Sequence, residues 1–447
     1  MQNVCKGETI MYQIEAKSLG EFDVAVCGGG IAGVFAAVTA ARQGAKVILI
    51  ESAGSLGGTV TESFMGNLID ADGKGSLIDE LRDFLNAHDM TCPLRGAKAD
   101  ENGKNIPGNL LNEEGVKYFM DKICAEAGVK VMFFSRVCHV DHTDGHINSL
   151  LVCSECGNYS VEAKVYIDST GNGSVAALTG CEWDCGEPET HRPSPVSMEA
   201  MVVGFPEDFN GTDNEDDKTK YANMLSKYGI ELSAQQGCIK KRPALRSWGM
   251  GMTMGYDVMP NDIESLSRAI YTLRKENFEV VFDHRKIPGF ENVRLVATTP
   301  HIGVREGRRI YGEYRISNED ILEGRRFEDA VCLVTFHVDV HKLHKDDTIE
   351  QTRGYDMKPF HIPFRSQLPL GSDNLILAGR CISGDFYPFS AYRVIGNMAA
   401  TGEAAGYAAS VCAKENIKPK EVDGKAVSAY MKPYLDEARI FGVDSVY

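Results

Sequence analysis

Hydrophobic and polar positions divide the chain into three stretches of different texture. From about residue 20 to 183, short aliphatic and β-branched runs alternate with glycine turns and alanine-rich segments. Phe22–Cys27 is apolar except at Asp23, the pattern of a strand buried on both faces of a parallel sheet. Val34–Gln43 predicts an alanine-rich helix ended by Gly44, and Lys46–Ile50 a second buried strand. Val129–Val140 reads as a strand with a turn, Ile147–Val152 with Ser160–Tyr166 as a hairpin, and Ser174–Thr179 as a short helix. Roughly 184–364 is more polar and irregular, with loop-like Glu187–Pro195 and acidic Asn210–Asp217. Within it Phe336–His341 alternates, which predicts a strand with His337, Asp339 and His341 on one face. From about 365 the first texture returns. Asn374–Leu377 predicts a short buried strand and Gly396–Gly406 a helix made almost wholly of small residues.

Glycines 28, 30 and 33 set G-x-G-x-x-G between the first strand and the first helix. Gly28 permits a tight turn, Gly30 lets backbone amides approach a diphosphate, and Gly33 lets the helix lie close to the sheet. Ile31 and Ala32 open that helix, where unpaired N–H groups and the positive end of the dipole face the phosphates. Glu51, eighteen residues after Gly33, ends the second strand where it can accept hydrogen bonds from ribose hydroxyls. Its charge disfavours a 2′-phosphate. Strand, glycines, helix, strand and acid in this order point to a bound dinucleotide. They also predict an α/β fold: a Rossmann-type dinucleotide-binding domain with a parallel central sheet, built from residues 20–183 and 365–447. An α+β substrate or cap domain is inserted between them over 184–364.

Further segments bear on which dinucleotide. Ser52–Thr59 places Gly57, Gly58 and Thr59 close behind the acid, and Ser169-Thr170-Gly171 closes the strand after the hairpin. Gly379-Arg380 ends another strand at a ligand-sized gap, and Gly396, Asn397 and Met398 open the small-residue helix. With Ile302–Tyr314, Asp320–Ala330, Ile362–Ser366 and Leu377–Ser383, the chain resembles the FAD-dependent oxidoreductase family with a glutathione-reductase-type FAD domain. The resemblance runs from about residue 22 to 410. It implies FAD as cofactor, held by the residues just named together with Val137 from the Val129–Val140 region. The small-residue helix would then aim its dipole at the flavin. Two places depart from the family: Gly307 stands where Thr or Ser is usual, and Asp385–Phe389 replaces a stretch that often holds a His.

The reacting groups must come from whatever covers the flavin. Arg305 and Arg308 are candidates for gripping a carboxylate or other oxyanion, whereas Arg309 reads as the partner of structural carboxylates. His337 and His341 are the acid–base candidates, and Arg393, just before the small-residue helix, is placed to hold flavin or substrate oxygens. No further ligand is spaced to turn His337-x-Asp339-x-His341 into a metal site, so no metal is expected. Cys153-x-x-Cys156 falls at an expected hairpin turn, and Gly249–Gly255 follows no apolar strand and reads as a loop over the site rather than a second fingerprint.

Composition narrows the partners. A formal charge of −16 over 447 residues opposes nucleic acid and anionic lipid, and no apolar run is long enough to span a membrane. The thirteen cysteines and the absence of a signal-like start fit reduced thiols in a cytoplasmic enzyme. The expected activity is hydride transfer between flavin N5 and a small polar substrate, anionic or polyhydroxylated, with a separate electron acceptor or donor; a homo-oligomer fits equally. The alternatives are a non-redox flavoprotein, such as a hydratase or isomerase, and an electron carrier without its own substrate.

Overall fold

A computed structural model describes residues 13–92, 110–212, 215–234, 237–242, 247–347 and 356–435. Its largest sheet has seven strands. Lys130–Met132, Val47–Ile50, Lys17–Cys27 and Gly157–Asp168 lie side by side and parallel, with Val24 opposite both Val47 and Val165. Leu375–Leu377, from far along the chain, joins in parallel beside Tyr166–Asp168. The first half of Gly157–Asp168 pairs instead with an antiparallel hairpin, Ser135–Thr143 and His146–Ser154. Cys156 lies in the turn after His146–Ser154.

All the parallel strands except the outermost, Lys130–Met132, are buried at every position near their carboxyl ends, as their apolar runs require. Two helices cover one another beside them: Ile31–Arg42 and the long Ile395–Glu415. Their glycines explain the small-residue pattern. A Cβ on Gly402 would stand 2.3 Å from Ala32 O, and one on Gly406 2.2 Å from Ala36 O. Small side chains along this helix therefore serve close helix–helix approach.

A second sheet, in the order Cys238–Arg242, Ser247–Gly251, Ala200–Val203, Arg294–Thr298, is antiparallel and backed by the helix Ile263–His284. It has its own apolar cluster, with Val202, Phe205, Ile239, Met250, Val281 and Val293 among its members. Residues such as Ile310, Val331, Phe360 and Ile362 instead join the larger core.

Two expectations need correction. Gly249–Gly255 is not a loop: Ser247–Gly251 is a central strand, and Met254–Gly255 pairs with Val196–Ser197. Phe336–His341 is not a strand, because among the described residues no neighbouring segment offers it a ladder. Its alternation survives, with Val338 and Val340 buried and His337 exposed. Among the described residues, no helix is long and apolar enough to cross a membrane.

Gly402→Val is expected to lower the thermal unfolding midpoint by the equivalent of about 2 kcal/mol or more, since the added atoms meet backbone that cannot yield. An unchanged midpoint would show that the two helices can separate freely.

Candidate functional site

The glycines of the fingerprint do different work. Gly28 has φ +101° and donates to Ile50 O at 2.8 Å, and a Cβ there would meet Ser169 O at 2.6 Å. A Cβ on Gly33 would lie 1.8 Å from Gly28 O. The chain's own packing demands both. Gly30 differs: it begins the helix with an extended backbone, and its Cβ would find only Gly58 Cα, at 3.9 Å. The missing side chain leaves room for something else.

Gly57 donates to Gly29 O at 2.8 Å, which lays the Gly57-Gly58 loop beside Gly30. Glu51 fastens the two segments. Its Oε2 accepts from Gly29 N at 2.6 Å, and its Oε1 from Ala53 N at 2.7 Å and Ser52 Oγ at 3.1 Å. Ser169 Oγ donates to Cys27 O and Gly28 O, tying the neighbouring strand end to the same turn. Gly379, at φ +82°, donates to Thr401 Oγ1 at 3.1 Å. Arg380 reaches across to Asn172 Oδ1 at 2.7 Å, its Nε is buried without a partner, and burial pushes its guanidinium down to about 10. A Cβ on Gly307 would stand 2.4 Å from that same Asn172 Oδ1, so the departure from Thr or Ser clears space for the Arg380 contact.

A cavity of about 800 Å³ opens at these strand ends. From the cofactor set it is lined by Gly30, Ile31, Ala32, Gly57, Thr59, Ser169, Gly171, Gly379, Arg380 and Met398, and from the reacting set by Arg305, His337, His341 and Arg393. Gly28, Gly33, Glu51, Ser52, Gly58 and Thr170 do not line it, and Ser52 is exposed. Val137 sits on the outer hairpin away from the cavity, Gly396 packs against Asp70 O, and Asn397 is buried with its Oδ1 on Cys332 Sγ. Arg308 also faces elsewhere: it stacks over the Trp183 ring at 4.9 Å and donates to Asn172 O. Tyr392 is fully buried with its hydroxyl on Ile382 O.

The opposite wall carries a charged group. Arg393 Nη2 bonds Asp339 twice, at the backbone O (2.8 Å) and at Oδ2 (3.2 Å), and His341 Nε2 lies 3.6 Å from the same carboxylate oxygen. Arg305 donates to Pro195 O at 2.8 Å, and burial, with the nearby Arg393 charge, brings its guanidinium down to about 10. Burial resists ionisation of Asp339, but the adjoining His341 and the Arg393 and Arg305 charges outweigh it and hold the carboxyl well below its usual range. Burial first, then the charge of Arg305, lowers His341 below the ordinary imidazole value, against the pull of Asp339. The imidazole is therefore neutral near pH 7. The adjoining segment is held by Asp70, which accepts from Thr335 N, Thr335 Oγ1 and Phe336 N and pairs with the buried Lys74 at 3.1 Å.

The sequence reading missed the cap side of the cavity: Ser197, Glu199, Cys238, Lys240, Gly251, Thr253 and Tyr256. The Gly249–Gly255 glycines were the available signal, because glycine in a strand marks a close backbone approach or a bound group.

A sequence model of the family described as FAD dependent oxidoreductase matches residues 23–431. The chain belongs to that family. It is 29% identical over 182 residues to an uncharacterized protein of Methanosarcina barkeri, covering 38% of this chain and 93% of that protein. It is 28% identical over 167 residues to digeranylgeranylglycerophospholipid reductase 2 of Methanothermobacter thermautotrophicus, covering 36% of this chain but only 43% of the reductase. The structure of a flavin-dependent brominase superposes with a TM-score of 0.50 at 13% identity, over 92% of this chain and 83% of that one, a likeness of fold. This member of the family is an FAD-dependent oxidoreductase.

The open cradle at Gly30 and the unpartnered Nε of Arg380 fit a diphosphate-bearing flavin. Gly30→Val should fold, because its Cβ meets no atom closer than 3.9 Å, yet purify without yellow colour. Full flavin content by absorbance in that variant would move the diphosphate elsewhere.

Proposed function

We propose that the cavity holds FAD along the fingerprint wall and a small anionic substrate against Arg305 and Arg393, and that hydride passes between that substrate and the flavin. Gly30, Ile31 and Ala32 would offer amides to the diphosphate, Arg380 would pair with it, and Glu51 would reach the ribose with the lone pairs that its loop contacts leave over. The bound flavin supplies a hydride acceptor or donor at N5.

The observation that carries this reading is the place of His341 in the cavity wall, with one nitrogen turned to Asp339 and burial lowering its affinity for a proton. Asp339 fixes the ring so that Nδ1 remains for a proton on the substrate's hydroxyl or amine. Arg305 and Arg393 orient the oxyanion beside it and keep the imidazole from holding a proton prematurely. Removal of the X–H proton to His341 leaves its electron pair to form C=X as the C–H electron pair departs with hydrogen. Reduction runs the same steps backwards.

His341→Ala should keep its flavin and lose about two to four orders of magnitude in kcat, the usual worth of a positioned base. Unchanged turnover would remove His341 from the reaction. In the oxidising direction the base must be unprotonated, so kcat/KM should fall on the acid side with a midpoint below 6.5, the ordinary histidine value. Arg305→Gln removes a positive neighbour and should move that midpoint up; Asp339→Asn removes the stabilising anion and should move it down. Shifts in the opposite directions would contradict the electrostatic account.

A further inference from the structure

The proposed reaction uses one end of the cavity and leaves the cap sheet without a task. Gly251 lies in a central strand of that sheet and lines the cavity. Its backbone is not in the left-handed region, and an added Cβ would meet nothing nearer than Glu199 Oε1, at an ordinary 3.6 Å. Neither conformation nor packing calls for glycine there; a side chain would only fill the cavity. Across the ladder, Cys238 pairs with Gly251, and Lys240 follows two residues on, on the same face.

Lys240 is 15% exposed, and its ion pair with Glu199 is long, at 3.8 Å. An ammonium so far withdrawn from water normally has close acceptors. Charge along the whole cavity points the same way. Lys240, Arg305, Lys342, Arg380 and Arg393 line it, against the carboxylates Glu199 and Asp339, in a chain of net charge −16. A flavin diphosphate would neutralise about two of these positive charges, and the wall would still be positive where the substrate lies.

We propose that Lys240, above the bare strand at Gly251, is a second anion subsite, so that the substrate is a dicarboxylate with one head at Arg305 and Arg393 and the other at Lys240. This rests on the placement of substrate in the proposed function. Glu199 holds the ammonium in place while the subsite is empty, and yields to the closer carboxylate of the ligand.

The test is titration calorimetry of the flavin-loaded protein with malonate, succinate, glutarate and adipate, each against the monocarboxylate of equal length. At least one dicarboxylate should bind about tenfold more tightly than its partner, the worth of one added ion contact. Lys240→Met should abolish that preference with flavin content retained, and Gly251→Val should weaken the same dicarboxylate by occupying its space. Arg305→Met should weaken both members of the pair. Equal affinity throughout the series, no binding of any member, or a preference that survives Lys240→Met would overturn the proposal. Because heat reports binding without turnover, a dicarboxylate preference in an enzyme that never reduces its flavin would sink the hydride-transfer reading alone. Turnover of a monoanion without the preference would sink this one alone.

Discussion

Everything in this chain depends on how closely backbone can approach backbone at the end of the first strand. With no side chain at Gly28 or Gly33, the strand, the turn and the first helix come within contact distances that any Cβ would forbid. That closeness aims the helix N-terminus and its free amides into the cavity and lets Gly30 stand open before it. The same device recurs one layer out, where Gly402 and Gly406 bring the last long helix onto the first. The sheet thus presents one rigid edge, and the cavity forms where the ends of Lys17–Cys27, Gly157–Asp168 and Leu375–Leu377 face the antiparallel sheet.

Across from that edge the chemistry is electrostatic. Asp339 is the hinge of the arrangement: it takes Arg393 and His341 on one carboxylate and lies within the field of Arg305. Two guanidiniums beside one imidazole would be costly without it. In the proposed reaction such a site would receive an anion and accept its proton in one place. Within a chain of net charge −16, this wall is a local concentration of positive charge.

Much of the architecture was legible because it follows from local covalent geometry. The fingerprint strand, its glycines and the acid at residue 51 are fixed by φ, by Cβ volume and by strand length, all of which a sequence displays. The alternation at Phe336–His341 was read correctly for facing and wrongly for pairing, because a period of two reports which side is buried and not whether a partner strand exists. Gly249–Gly255 was misjudged for the converse reason: its glycines look like a loop until the neighbouring strands are known to supply the ladder. Arg308 could not be told from Arg305 by spacing; only the position of Trp183, more than a hundred residues earlier, turns it from the cavity. Glu199, Lys240 and Tyr256 carried no local signature, since they meet only when segments far apart in sequence come together around the cavity.

The most direct measurement is the visible spectrum of the purified chain, reconstituted with FAD and then mixed anaerobically with small organic acids. The account predicts a stoichiometric two-banded flavin spectrum whose yellow absorbance bleaches on addition of an anionic substrate. A chain that stays colourless after reconstitution would contradict it.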